Sequence, residues 1–286
     1  VSGSGAVLGS PDGSRPRERA AVRLAREVAI IALAMLAYRL ARLITSGEVS
    51  EALGNARHVL HLEDLLGLPS ELALQRAALS WTWLVEAANV YYAVVHFPAT
   101  VAFLVWTYVR RRERYPWVRN TLIGLTAVAL AVHLFTPLAP PRMLEGLGFV
   151  DTGAVLGPAV YGPPETDHVT NQYAAMPSLH VGWAVFVALG LVVMTRGRWR
   201  WLWLLHPAVT VLVVVATANH YWLDGIVAVV LLGLVLLAQR RPRRRHRVAA
   251  PPPRLPVPAP RAGADDPSRV LDLTEVERCR SGCRRP

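Results

Sequence analysis

His220 and Asp224, four residues apart, close the stretch Asn219-His220-Tyr221-Trp222-Leu223-Asp224, and a second histidine ends Pro177-Ser178-Leu179-His180. Each stretch opens a long apolar run. Ionisable side chains at membrane depth are costly, so their presence there marks a functional site by default. On a helix starting near Ala218, a spacing of four puts imidazole and carboxylate on one face. The carboxylate then fixes one tautomer and makes the imidazole a better nucleophile or base. His180, from another helix, can supply the proton that such chemistry gives and takes. A lone His-x-x-x-Asp spacing arises easily by chance. Two histidine motifs at the mouths of two apolar segments do not.

The elements that must position these residues are apolar helices. A chain that is 53% hydrophobic with mean hydropathy +0.31 is too apolar for an ordinary soluble domain. Six runs approach the ~20 residues that cross a bilayer: 27–44, 81–109, 120–138, 178–195, 202–218 and 221–238. The expected fold is all-α, a polytopic six-helix membrane bundle. The first run contains Arg39 and Arg42, and no Ala-x-Ala cleavage site follows it, so it reads as a retained anchor. Residues 48–78 are amphipathic rather than spanning, an interfacial helical pair broken near Gly67-Leu68-Pro69. Residues 139–177 form a long loop rich in Pro and Gly, of the kind that usually carries function. The domain reading is a disordered basic N-terminus (1–26), one membrane domain (27–240) and a disordered Arg- and Pro-rich tail (241–286). Cys279 and Cys283 in that tail point to no disulfide and no zinc site.

A net charge of +11 suggests nucleic acid only until its placement is read. All 31 basic residues are Arg, and 19 of them lie in 1–26, 110–119, 196–200 and 240–247. Arg57, Arg76 and Arg142 are the basic residues of the intervening loops, so even with Arg39 and Arg42 added the ratio is 19 to 5. By the positive-inside rule both termini are cytoplasmic in a cell membrane, and the two histidine motifs converge on the extracytoplasmic face. The partners implied are membrane lipids, with no nucleic acid.

On these residues the chain resembles the membrane branch of the type 2 phosphatidic-acid phosphatase superfamily, and within it the inositol-phosphorylceramide-synthase-like group. The resemblance spans about residues 50–238. It is carried by Ala139-Pro140-Pro141-Arg142-Met143-Leu144, Ala175-Met176-Pro177-Ser178-Leu179-His180, and the stretch from Asn219 to Asp224. It implies a lipid phosphotransferase acting on a lipid-linked phosphoester. His220 would be the nucleophile that becomes phosphohistidine, Asp224 would orient it, and His180 would be the general acid and base. Arg142 and Ser178 would bind the substrate phosphate, aided by backbone N–H groups where a helix opens at Pro177. No cofactor and no metal is implied. The chain departs from the phosphatase pattern at Phe135, Leu179 and Val214, where a lysine, a glycine and an arginine are usual. One cationic phosphate clamp, Arg142, remains, which favours the phosphotransferase branch over a lipid phosphate or prenyl-pyrophosphate phosphatase.

Other readings stand beside these. Asn89, Tyr92, Tyr173 and Asn219 either contact a headgroup or hydrogen-bond between helices. His96 and His133 read as satisfied core histidines. His58, His61, Glu63 and Asp64 have metal-like spacing but read as the solvated face of an interfacial helix. A transporter would line a path with polar groups and show an inverted repeat, and neither is evident. A non-catalytic membrane scaffold is the remaining alternative, opposed by the intact His–His–Asp set.

Overall fold

The computed structural model describes residues 49–160, 162 and 172–239, together with 21, 22, 24–30, 32, 33 and 36. The latter residues are helical, so helix is present ahead of the expected boundary at 27. Much of the predicted first span, including Arg39 and Arg42, lies outside the described residues, as does the tail from 240 onward.

Helices α1 (Val49–Leu66) and α2 (Glu71–Leu79) form a helical pair where one was expected. Gly67 ends α1 at φ +67, a left-handed conformation that suits glycine, and the Ser70 side chain caps α2 by accepting from Ala73 N. Helix α3 (Thr82–Val90) runs through a π-helical turn, Tyr91–Val95, into α4 (His96–Arg110). Pro98 has no N–H to donate one turn back, and the helix widens just before it. Next come α5 (Tyr115–Phe135), a 3-10 turn at Pro141–Met143 and the short α6 (Thr152–Leu156). Helix α7 (Leu179–Met194), a 3-10 segment (Arg198–Leu204), α8 (Leu205–Ala216) and α9 (Trp222–Ala238) complete the order. Among the described residues there is no strand; one isolated bridge joins Leu138 to Ala174.

Among the described residues, three segments are long and apolar enough to cross a bilayer: Thr82–Arg110, Tyr115–Phe135 and Arg198–Ala216. Helices α7 and α9, at 16 and 17 residues, are apolar but shorter than the predicted runs. The difference lies at their ends: Ser178 and Tyr221 are extended capping residues ahead of the two helices, and Thr195 is the extended C-cap of α7. The main core is built by α4, α5, α7 and α9 around Phe103, Leu122, Leu125, Phe186 and Leu232. A Cβ on Gly190 would lie 2.5 Å from the Phe103 ring, so glycine is what lets α7 approach α4 so closely.

The two ends of the bundle differ. At one end Arg111 donates to Met194 O, Gln239 meets Thr121, and Arg119 bonds Glu27. The same end carries Arg198 and Arg200 over the rings of Trp199 and Trp201. Exposed Trp and Arg at one level is the pattern of a headgroup boundary. Both histidine motifs lie at the opposite end, where α7 and α9 begin.

Candidate active site

The site is assembled from chain segments that enter helices. Residues 138–142 and 173–175 are pinned together by Leu138 N to Tyr173 O (2.8 Å) and Ala175 N to Leu138 O (3.2 Å). Tyr221, almost fully buried, ties α9 to them by donating its hydroxyl to Ala139 O at 2.9 Å. Helix α8 ends in a turn where Ala218 takes φ +54, a left-handed conformation costing an alanine of order 1 kcal/mol. That turn presents Ala218 O to Arg142 N (3.0 Å) and delivers His220 to the interior.

His220 and Asp224 do meet, though not on a helix face as the spacing of four predicts. Helix α9 starts at Trp222, so His220 precedes the capping residue Tyr221. Asp224 Oδ2 folds back to accept from Tyr221 N (2.9 Å) and lies 3.0 Å from His220 Nδ1. His220 is 5% exposed and Asp224 fully buried. His220 Nδ1 also lies 2.9 Å from Ala175 O. A backbone carbonyl only accepts, so Nδ1 carries the hydrogen and donates it to Ala175 O and Asp224 Oδ2. Nε2 is then left with a lone pair. The His180 ring lies 5.6 Å from the His220 ring, centroid to centroid.

His180 is held between two other rings. Tyr92 stacks on it at 4.4 Å and His96 packs against it at 4.5 Å, with Trp183 behind His96 at 5.6 Å. Tyr92 lies in the π-helical turn and His96 directly follows it, and both reach the same ring. His96 is therefore not the satisfied core histidine of the sequence reading. It borders the site, and its buried Nδ1 has no partner among the described residues. His133 is as expected, with Nε2 3.2 Å from Pro177 O.

Ser178 is the N-cap of α7: its hydroxyl accepts from Val181 N and its own N–H donates to Asp224 O (3.1 Å). Pro177 thus precedes the cap instead of opening the helix. Part of the expected anion cradle is already engaged in holding α7 to α9. Arg142 is nearly buried, bonded to Gln172 Oε1 (3.3 Å) and 3.7 Å from Asp151 Oδ2. It lines a narrow cleft together with Asn89, Tyr92, Asp151 and Asn219. Asn89 uses its amide on Thr152 O and Gly157 O and accepts from Thr152 Oγ1, so it anchors the loop that roofs the cleft. Asn219 donates to Thr217 Oγ1. Tyr173 packs with the cluster around Ala139 and Tyr221, outside the cleft lining.

Two acidic residues were missed by sequence reasoning. His58, His61 and Asp64 are exposed, as a solvated face requires, but Glu63 is buried. Its Oε1 accepts from Leu223 N at 2.7 Å, and Glu71 Oε1 meets Trp222 N at 3.5 Å. Burial first, then the adjacent Glu71, pushes the Glu63 carboxyl up to about 9. No signal in the sequence separated Glu63 from its exposed neighbours.

Among the described residues, no group of His, Cys, Asp and Glu is arranged to hold a metal ion. No curated protein and no solved structure matches the chain. The family model described as the PAP2 superfamily matches residues 57–238, the stretch that contains Arg142, His180, His220 and Asp224, and the chain belongs to that superfamily.

Proposed function

We propose that the protein is an integral-membrane lipid phosphotransferase of the inositol-phosphorylceramide-synthase-like kind, working on a lipid-linked phosphoester. Membership of the superfamily supports phosphatase- or phosphotransferase-type chemistry at large. The observation that carries the histidine-nucleophile mechanism is the hydrogen-bonding of His220. Its Nδ1–H is committed to Ala175 O and Asp224, which leaves Nε2 free to act as a nucleophile beside His180.

In the first half-reaction His220 Nε2 attacks phosphorus while the bond to the leaving oxygen breaks. His180 donates its proton to that oxygen, and Asp224 offsets the positive charge that grows on the His220 ring. In the second, His180 takes the proton of the acceptor hydroxyl, the new O–P bond forms and the N–P bond breaks. Arg142 is the cation of the cleft, suited to the phosphate by its planar donor fork. The acceptor is a lipid hydroxyl, with water as the competing acceptor of a phosphatase. The positions where the phosphatase pattern has further basic residues hold Phe135, 82% exposed, and Val214, buried, and neither contributes charge.

The chain crosses the membrane six times in this reading. The Arg-rich end faces the cytoplasm with both termini, and the cleft opens at the extracytoplasmic leaflet. Incubating the protein in nanodiscs with labelled phosphatidylinositol, phosphatidate and prenyl pyrophosphate tests the chemistry. A new labelled lipid together with an acid-labile phosphoenzyme is the expected result. Release of inorganic phosphate alone makes it a phosphatase, and no turnover with a trappable phosphoenzyme absent would overturn the reading.

A further inference from the structure

Beneath the His220 turn, three consecutive backbone N–H groups at the start of α9 each meet a different carboxyl group. Tyr221 N donates to Asp224 Oδ2 at 2.9 Å, Trp222 N to Glu71 Oε1 at 3.5 Å, and Leu223 N to Glu63 Oε1 at 2.7 Å. The first bond is local. The other two reach in from α2 and α1, across 151 and 160 residues of sequence. Trp222 Nε1 adds a third tie, to Pro69 O in the α1–α2 turn, at 2.7 Å. The first N–H groups of a helix have no partner within it, and carboxyl groups there are favoured by the helix dipole. Caps supplied by two other helices are less common, and here they serve the helix that carries Asp224.

We propose that Glu63 and Glu71 are positioning residues. As buried carboxyl groups that cap Trp222 N and Leu223 N, they clamp the first turn of α9 to the α1–α2 hairpin and so keep Asp224, and through it His220, aligned with His180. This rests on the reading of His220 and Asp224 as the reacting pair.

The chemistry of the pair follows from its surroundings. Glu63 and Glu71 are 2% and 3% exposed, so two adjacent charges would be poorly solvated. The titratable groups facing Glu63 from other elements are Glu71 on α2 and Asp224 and Tyr221 at the start of α9. On its own helix His61 and Asp64 point to the exterior. Surrounded by acids, Glu63 stays protonated at neutral pH. Its Oε1 accepts from Leu223, and its buried Oε2 has no hydrogen-bond partner among the described residues.

The sign of the pH effect follows. The folded-state value of Glu63 is raised from 4.5 to about 9, so folding takes up a proton within that window. Stability is greatest below the window and declines as pH rises through it. Above it Glu63 is charged while buried among other acidic side chains, and the clamp loosens.

The test compares wild type with Glu63→Ala, Glu71→Ala, Glu63→Gln and Glu63→Asp in nanodiscs. Hydrogen exchange is followed in the peptide covering residues 219–226, and kcat and KM with fluorescent phosphatidate, from about pH 6 to about pH 10. The alanine variants should lose roughly tenfold to hundredfold in amide protection and in kcat with KM little changed, the range for a backbone donor stripped of a carboxyl partner. Glu63→Gln, shaped like the protonated acid, should recover most of that loss and flatten the alkaline decline. Glu63→Asp, one methylene short, should not. Wild-type protection and kcat in Glu63→Ala overturn the proposal, and so does a Glu63→Gln that fails as alanine does. If Glu63→Ala does not fold, the Gln and Asp variants decide. If wild type turns over neither phosphatidate, phosphatidylinositol nor prenyl pyrophosphate, the catalytic reading is what fails, and amide protection still decides the clamp.

Discussion

Replacing Asp224 with Asn separates the charge of this residue from its hydrogen bonds. Asp224 Oδ2 serves two donors, Tyr221 N and His220 Nδ1, at 2.9 and 3.0 Å. An Asn can turn its carbonyl oxygen to both and keep the shape of the turn. Its NH2 group then takes the place of Oδ1, a buried atom with no partner among the described residues. One unsatisfied buried donor costs about 1–3 kcal/mol of stability.

Catalysis loses more. As His220 takes on positive charge, a full negative charge 3.0 Å away stabilises it by up to about 5 kcal/mol at an effective dielectric of ~20. That ceiling corresponds to about four decades of rate. The tautomer is partly protected, because Ala175 O also holds Nδ1–H. A loss of ~10²–10⁴ in kcat is therefore expected, alongside a modest drop in the thermal midpoint. Turnover per folded molecule and the unfolding midpoint should be measured on the same nanodisc preparation. A folded Asp224→Asn protein with full activity would refute the reasoning, and a loss seen wholly in folding would make the pair structural.

Three further outcomes are expected. His180→Ala should slow transfer by ~10²–10⁴-fold and be partly rescued by a p-nitrophenyl phosphoester, whose leaving group needs no proton, while His220→Ala should not be rescued; equal rescue contradicts the two roles. Gly190→Ala should destabilise by about 1–3 kcal/mol in thermal unfolding, since the Phe103 ring it would strike is wedged between Trp106 and Phe186. A neutral result would mean that α4 and α7 can separate freely. With Cys279 and Cys283 replaced, cysteines at Val155 and Arg198 should label from opposite sides of sealed vesicles, and labelling from one side removes the six-span topology.

What the sequence made legible was whatever depends on local order. The apolar runs located α7, α8 and α9 within a few residues, α5 begins at Tyr115, ahead of its run at 120, and Gly67 with Pro69 marked the break between α1 and α2. The pairing of His220 with Asp224 was legible too, but for a partly mistaken reason. The expected helix face is in fact a capping arrangement in which Asp224 bonds the backbone ahead of it. Both geometries bring residues i and i+4 together, so the spacing could not tell them apart.

The rest depended on where unpaired backbone groups fall, and a sequence does not display them. The loop segment 137–157 packs against helices without a sheet to satisfy its peptide groups, and side chains must do it instead. Asn55 takes Pro137 O, Gln75 brackets both N–H and C=O of Val150, and Asn89 takes Thr152 O and Gly157 O. The same demand at the start of α9 claims Glu63 and Glu71. Polar residues in apolar surroundings invite a functional reading, and the headgroup contact weighed for Asn89 beside plain hydrogen bonding came from that habit. A better first question for each is which backbone group nearby would otherwise be buried unpaired. By that test Asn55, Gln75 and Asn89 are accounted for, as is Ser178 at the head of α7. His220 Nε2, His180 and the orphaned nitrogen of His96 are not. The first two are the imidazoles to which the proposed phosphoryl and proton chemistry is assigned.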